Sequence, residues 1–194
     1  MKILVCLSVI VVAMLMSAQF SHSTQFTAKL DGPSESPPNA SPGTGFAVVD
    51  FDTVAHNMRV QVTFSGLLGT TTASHIHAVT AVPGTGTAGV ATQTPTFVSF
   101  PLGVMSGTYD HLFDTSLAST WNAPFVTANG GVAGAETTFA ASLANGTAYF
   151  NIHTSFAPGG EIRGFLQPVP EPATMLLFGL GLLGLVGLRR KFKK

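Results

Sequence analysis

Residues 148–166 read AYFNIHTSFAPGGEIRGFL, and this stretch decides the fold. Polar and apolar side chains alternate on both sides of a Pro-Gly-Gly connection at 158–160. This is the pattern of two β-strands joined by a tight turn. Because successive side chains of a strand point to opposite faces, the polar residues of each strand share one face. The stretch therefore predicts two closing strands, each with one polar and one apolar face.

The same alternation runs through residues 24–168, where no helical apolar period is longer than about three turns. The sequence therefore predicts an all-β domain, a single antiparallel β-sandwich of short strands. Residues 136–143 predict one short helix, which Asn145-Gly146 would end. The predicted strands are Gln25–Leu30, Gly45–Asp52, Met58–Phe64, Ser74–Val79, Thr96–Phe100, Gly107–Phe113, Thr147–His153 and Glu161–Leu166.

The N-terminus has the pattern of a secretory signal peptide, residues 1–23. A basic start precedes an apolar run at 3–16 that is too short to span a bilayer comfortably. Small residues place the cleavage after Ser23, with a cut after Ala18 as the alternative. The only cysteine, Cys6, lies in the apolar run, so the mature domain can form no disulfide.

The charge of the mature domain differs from that of the whole chain. The chain has a formal net charge of zero, but residues 24–168 contain three basic and eight acidic residues, a net charge of −5. Such a surface offers phosphates almost nothing to bind. The sequence therefore predicts no nucleic-acid partner.

The C-terminal segment, residues 169–194, reads VPEPATMLLFGLGLLGLVGLRRKFKK. A Pro-Glu-Pro triplet precedes an apolar run, predicted as a transmembrane helix at about 173–188, and a basic end that would stay on the cytoplasmic side. The triplet consists of Pro170, Glu171 and Pro172. A plain membrane anchor is one interpretation of this order.

The three-part order of this tail resembles the PEP-CTERM sorting signal of Gram-negative bacteria. The resemblance implies that an exosortase recognises the triplet and removes the helix, so that the protein is anchored only transiently in the inner membrane. It also implies a destination at the cell surface or in the extracellular matrix, in bacteria that make exopolysaccharide.

Three marks of the mature domain resemble the CHRD domain, named for its repeats in chordin, from about Phe26 to Leu166. They are FTAKLDGPSESPP at 26–38, HIH at 75–77 and NIHT…PGGEIRG at 151–164. Ala78 departs from the family, which usually has glycine after HIH. The resemblance implies a β-sandwich similar to the copper/zinc superoxide dismutase fold, without a settled activity.

Polar side chains of three predicted strands form a candidate site. His75 and His77 share one face of their strand, and His153 lies on the polar face of another. If these faces converge, the three imidazoles and one carboxylate, on the polar face of the last strand where Glu161 lies, could hold zinc or copper. Alternatively, the histidines hydrogen-bond to the backbone and to Glu161. Glu161 and Arg163 are expected to form a structural ion pair that pins the last strand.

The sequence contains no Gly-x-Ser-x-Gly elbow, no phosphate loop and no His-Glu-x-x-His motif. We therefore expect no catalytic residues and no enzymatic activity. The first hypothesis is a surface or matrix module, without a cofactor, that binds another protein or a polysaccharide. The alternative is a zinc or copper domain with a His-x-His site that could be redox-active.

Overall fold

The computed structural model describes residues 23–170. Apart from Ser23, the predicted signal peptide lies outside the described residues, as does the predicted C-terminal helix. The strands are β1 (Thr24–Asp31), β2 (Thr44–Asp52), β3 (Asn57–Ser65), β4 (Thr71–His77), β5 (Gly107–Asp114), β6 (Tyr149–Thr154), β7 (Ile162–Phe165) and β8 (Gln167–Pro168). The helices are α1 (Ala123–Ala128) and α2 (Val132–Ala144), with a 3₁₀ turn at Ala118–Thr120. None of the helices between residues 23 and 170 has the length and apolar character needed to cross a membrane.

All eight strands belong to one sheet, in the order β4-β6-β7-β1-β2-β3-β5, with β8 paired to β1. Each pairing is antiparallel. The prediction of an antiparallel all-β fold is confirmed, and its two layers are the two ends of a single curled sheet. The closing strands β6 and β7 pair as the 148–166 pattern predicts.

The inner face of the sheet forms the hydrophobic core. Alternate residues of β2 and β3 point inward and are almost completely buried, as the period-two pattern requires: Ala47, Val49, Val60 and Val62. Burying a side chain of this kind contributes about 1.5–3 kcal/mol for the larger aliphatic residues. A core of this extent explains how the domain folds without a disulfide.

The predicted strand Thr96–Phe100 is wrong, because this segment is part of a loop. Phe97 is fully buried between the two ends of the curled sheet. Its ring lies 5.9 Å from the ring of Phe150 on β6 and 5.4 Å from that of Phe113 on β5. The apolar residues that gave this segment the pattern of a strand are thus core residues supplied by a loop. Their packing fills the space between the two ends of the sheet.

The predicted helix at 136–143 is confirmed and extends further, as α2. Phe139 of α2 packs edge-on against Trp121 and Phe51, with ring centroids 5.2 and 5.4 Å away. Glu136 accepts hydrogen bonds from Thr115 Oγ1 and His56 Nδ1. These contacts hold α2 against the end of the sheet. Helix α1 was not predicted.

Candidate metal centre

The structure brings the three predicted histidines together. Strand β4 carries His75 and His77, and its neighbour β6 carries His153, which pairs with Ala73 in the antiparallel register. One ring nitrogen from each histidine lies within 4.8 Å of one from each of the others. His75 and His77 are buried, and His153 is half-buried. The cluster therefore has the donor set that the sequence indicated.

Each histidine uses one ring nitrogen to bind a backbone carbonyl. His75 Nε2 donates to the Pro95 carbonyl at 2.6 Å, His77 Nδ1 donates to Ala88 at 2.9 Å, and His153 Nδ1 donates to Pro158 at 2.9 Å. Because a carbonyl oxygen only accepts, the bonded nitrogen carries the hydrogen. These bonds set the tautomer and the orientation of each ring.

The second nitrogen of each ring is left with a lone pair and no partner. Within residues 23–170, His75 Nδ1, His77 Nε2 and His153 Nε2 are buried and accept no hydrogen bond. A buried polar atom without a partner costs about 1–3 kcal/mol. Three such atoms in one cluster have a common explanation if they share a ligand that accepts electron pairs.

Burial also keeps the cluster uncharged. The pKa of His77 is lowered to about 4, chiefly by desolvation and also by the neighbouring His75, His153 and Arg163, against the hydrogen bond to Ala88. Desolvation likewise lowers the pKa of His75 and of His153. The rings are therefore neutral imidazoles at pH 7, which is the form that binds metal ions.

The separation of the rings can be compared with that of a metal site. A zinc–imidazole bond of about 2.0–2.1 Å places the ligand nitrogens about 3.3–3.6 Å apart. The three nitrogens of this cluster all lie within 4.8 Å of one another, so no pair has to approach by more than about 1.5 Å to coordinate one ion.

The expected ion pair between Glu161 and Arg163 is not formed. The fully buried Glu161 carboxylate instead accepts four hydrogen bonds. The donors are Ser41 Oγ (2.6 Å), Thr154 Oγ1 (2.5 Å) and the backbone N–H groups of Leu68 (2.6 Å) and Gly69 (3.1 Å). Burial alone would raise the pKa of Glu161, but these donors outweigh it and the pKa is lowered. Glu161 therefore ties the connection between β3 and β4 to the closing hairpin.

Glu35 is the carboxylate that lies nearest Arg163. The distance from Arg163 Nε to Glu35 Oε2 is 3.8 Å, and both side chains are buried. Desolvation raises the pKa of Glu35 to about 7, against the lowering effect of Arg163 and of the Ser36 backbone. Arg163 is the pairing partner of Asp31, the last residue of β1, so the loop that follows β1 brings Glu35 close to it. Sequence spacing gives no sign of this pair, since the two residues are far apart in the chain.

The other histidines of the described region lie apart from this cluster. His56 bonds to Glu136 of α2, and the ring of His111 on β5 packs against Phe113 at 4.6 Å.

In the predicted sorting triplet, Pro170 is the last described residue, so Glu171 and Pro172 lie outside the described residues. The carbonyls of Ala88, Pro95 and Pro158 could not be predicted from the sequence, because a backbone acceptor has no side-chain signature.

Comparisons with known proteins identify two parts of the chain. A family model for the CHRD domain matches residues 26–166, and a model for the PEP-CTERM protein-sorting motif matches residues 168–191. No curated protein and no solved structure shows a significant match. The CHRD model covers well over half of the chain. The PEP-CTERM model indicates an exported protein of Gram-negative bacteria that an exosortase recognises. The chain belongs to the CHRD-domain family.

Proposed function

We propose that this exported protein holds one zinc or copper ion in its CHRD domain through His75, His77 and His153. The observation that carries the proposal is the set of three buried ring nitrogens without a hydrogen-bond partner, one from each histidine. Imidazole nitrogen suits both metals, and three neutral imidazoles place no negative charge beside the ion. Hydrogen bonds from the opposite ring nitrogens to carbonyls are the usual outer support of metal-binding histidines.

The ion would have a structural role, and the protein would not be an enzyme. The three free nitrogens are buried, and two of the rings are almost completely covered. Three histidines leave the fourth position of a tetrahedral ion to water, and the burial of two of the rings limits the access of a substrate to that position. An ion in this enclosed position would instead join β4, β6 and the loops that carry Ala88, Pro95 and Pro158.

We further propose that the mature protein acts at the cell surface or in the extracellular matrix as a module that binds another protein or a polysaccharide. The sorting motif supports this destination. The outer face of β2, β3 and β5 supports a binding role, because Phe46 and Leu112 are exposed there among polar side chains. A depression of about 340 Å³ beside Phe46 is lined by Gln61, Thr63 and Asp110, which offer hydrogen bonds to sugar hydroxyls.

Metal analysis of the mature domain, residues 24–168, tests the metal proposal. After incubation with zinc or copper and removal of free ion, elemental analysis should find about one ion per chain. His153→Gln should abolish stoichiometric binding, because it removes one of the three ligands. His111→Gln is the matched control and should bind like wild type. A wild-type domain that retains neither metal would contradict the proposal.

A further inference from the structure

The ring of His77 lies in a stack of buried groups. The ring of Tyr149 is parallel to it, with an interplanar angle of 3° and centroids 4.7 Å apart. The guanidinium carbon of Arg163 lies 4.8 Å from the centroid of the same Tyr149 ring. Arg163 and Tyr149 are both almost completely buried. A guanidinium over an aromatic face and a flat ring contact are both attractive, so the stack restricts rotation of the His77 ring.

The same stack also holds the carbonyl that orients His77. Arg163 Nη1 donates to the Gly86 carbonyl at 3.1 Å, two residues before Ala88, which accepts the hydrogen bond of His77. The Tyr149 hydroxyl contacts Ala88 twice, accepting from its N–H at 3.3 Å and donating to its carbonyl at 3.4 Å. The backbone at 86–88 is therefore held at both ends by members of the stack.

Arg163 also connects this backbone to the loop after β1. Its Nε donates to the Ser34 carbonyl at 2.5 Å, and Glu35 lies on the same side. The guanidinium thus binds two loops through separate N–H groups. A lysine ammonium at the end of a flexible chain cannot reproduce this planar geometry.

Resting on the proposed metal site, we propose that Arg163 is a positioning residue that, through Tyr149 and the backbone at 86–88, orients His77 for the metal ion. A ligand ring that is already held near its binding orientation loses less freedom when the ion binds, so the ion is bound more tightly. Arg163 does not touch the ion. Its effect passes through the His77 ring and through the Ala88 carbonyl.

The test measures the zinc affinity of the full chain in detergent by competition with a chromophoric chelator. His77→Gln gives the baseline for zinc bound elsewhere on the chain. Arg163→Lys keeps the positive charge but loses the paired hydrogen bonds to the Ser34 and Gly86 carbonyls. We expect its zinc affinity to be about 10–100-fold weaker than that of the wild type. Arg59→Lys is the matched control, because Arg59 forms an exposed pair with Asp110 on β5. It should bind zinc like wild type.

Two further measurements separate positioning from a general loss of structure. The visible absorption of bound cobalt(II) reports ligand geometry, and it should change in Arg163→Lys at metal saturation but not in Arg59→Lys. Tyr149→Phe keeps both ring contacts and removes only the hydroxyl from Ala88, and we expect about tenfold weaker binding. If Arg163→Lys does not fold, Tyr149→Phe decides the question.

The outcomes distinguish this inference from the proposal beneath it. Wild-type zinc affinity and an unchanged cobalt spectrum in a folded Arg163→Lys, or wild-type affinity in Tyr149→Phe, would overturn the role of the stack and leave the metal site standing. A wild-type chain that binds no more zinc than His77→Gln would instead remove the metal site itself.

Discussion

At the scale of single residues, Glu161, immediately before β7, and Arg163, within β7, have separate roles. Glu161 is satisfied by four donors from three segments, and Arg163 binds the carbonyls of Ser34 and Gly86 beside Glu35. A buried charge that loses its partners costs several kcal/mol, about 3–5 for a broken buried pair. Each residue should therefore matter to stability, but for independent reasons.

Double-mutant cycles measure this independence. Glu161→Gln should destabilise the domain by about 2–4 kcal/mol, because an amide nitrogen would face donors that need an acceptor. Combined with Arg163→Met, it should show a coupling energy below about 0.5 kcal/mol, as residues without a shared partner do. Glu35→Gln combined with Arg163→Met should couple by about 1 kcal/mol or more. The measurement is urea unfolding of the metal-free domain. Strong coupling between positions 161 and 163 would instead support the Glu161–Arg163 ion pair that the sequence predicted.

At the scale of elements, the long connection between β4 and β5 is the part that the proposed ion would control. It contains no regular strand, yet it supplies the carbonyls of Ala88 and Pro95 and the core side chain of Phe97. Its backbone is tied to β4 by bonds such as Ala91 N–H to the Ile76 carbonyl, at 3.0 Å. Local opening of this connection would break the proposed metal site.

Hydrogen exchange tests that link. Zinc lowers the population of open states that cannot hold the ion. The factor is about the free zinc concentration divided by the dissociation constant, when zinc is in large excess. At a zinc concentration 100 times the dissociation constant, exchange of the Ala78 and Ala91 amides should slow by about 100-fold. The Val54 and Ala55 amides, which bind Asp52 in the turn between β2 and β3, should be unaffected. Equal rates at Ala91 with and without zinc would show that the connection opens without breaking the site.

The elements that the sequence predicted are those whose pattern reflects local geometry. Alternation along β2, β3, β5 and β6 reports the two faces of a strand, and His75 and His77 were correctly assigned to one face. The sequence could not distinguish Phe97 from a strand residue. An apolar residue between polar ones is found in a half-buried strand and also in a loop that inserts one side chain into the core. The Glu35–Arg163 pair was missed because it depends on the pairing of β1 with β7, which are far apart in the chain.

At the scale of the whole molecule, the mature domain ends beside its own first strand, immediately before the sorting triplet. Strand β8 pairs with β1 through Phe26 with Pro168 and Thr27 with Gln167. The Val169 N–H donates to the Gln25 carbonyl at 2.8 Å, so the ordered pairing continues to the residue before the triplet. The triplet that begins at Pro170 therefore follows directly on the last backbone hydrogen bond of the folded domain.

The sorting proposal predicts that the mature protein lacks Phe192. Mass spectrometry of protein recovered from the envelope should find a C-terminus before the basic end, in a strain that has an exosortase. Glu171→Ala should leave the intact chain in the inner membrane, because it removes the only charge of the triplet. Deletion of the exosortase is the control and should give the same product. An intact C-terminus in the wild-type strain would indicate a plain anchor.

The pairing of β8 with β1 has a mechanical consequence. The chain enters β1 at Thr24 and leaves β8 at Pro168, side by side on adjacent antiparallel strands. A pulling force between these two ends would load the few hydrogen bonds of β8 one after another, as in the opening of a zipper, before it reached β6 or β7. While the tail is still attached, tension on it would thus act first on the two-residue strand β8, and the histidine cluster on β4 and β6 would keep its geometry until that strand had peeled away.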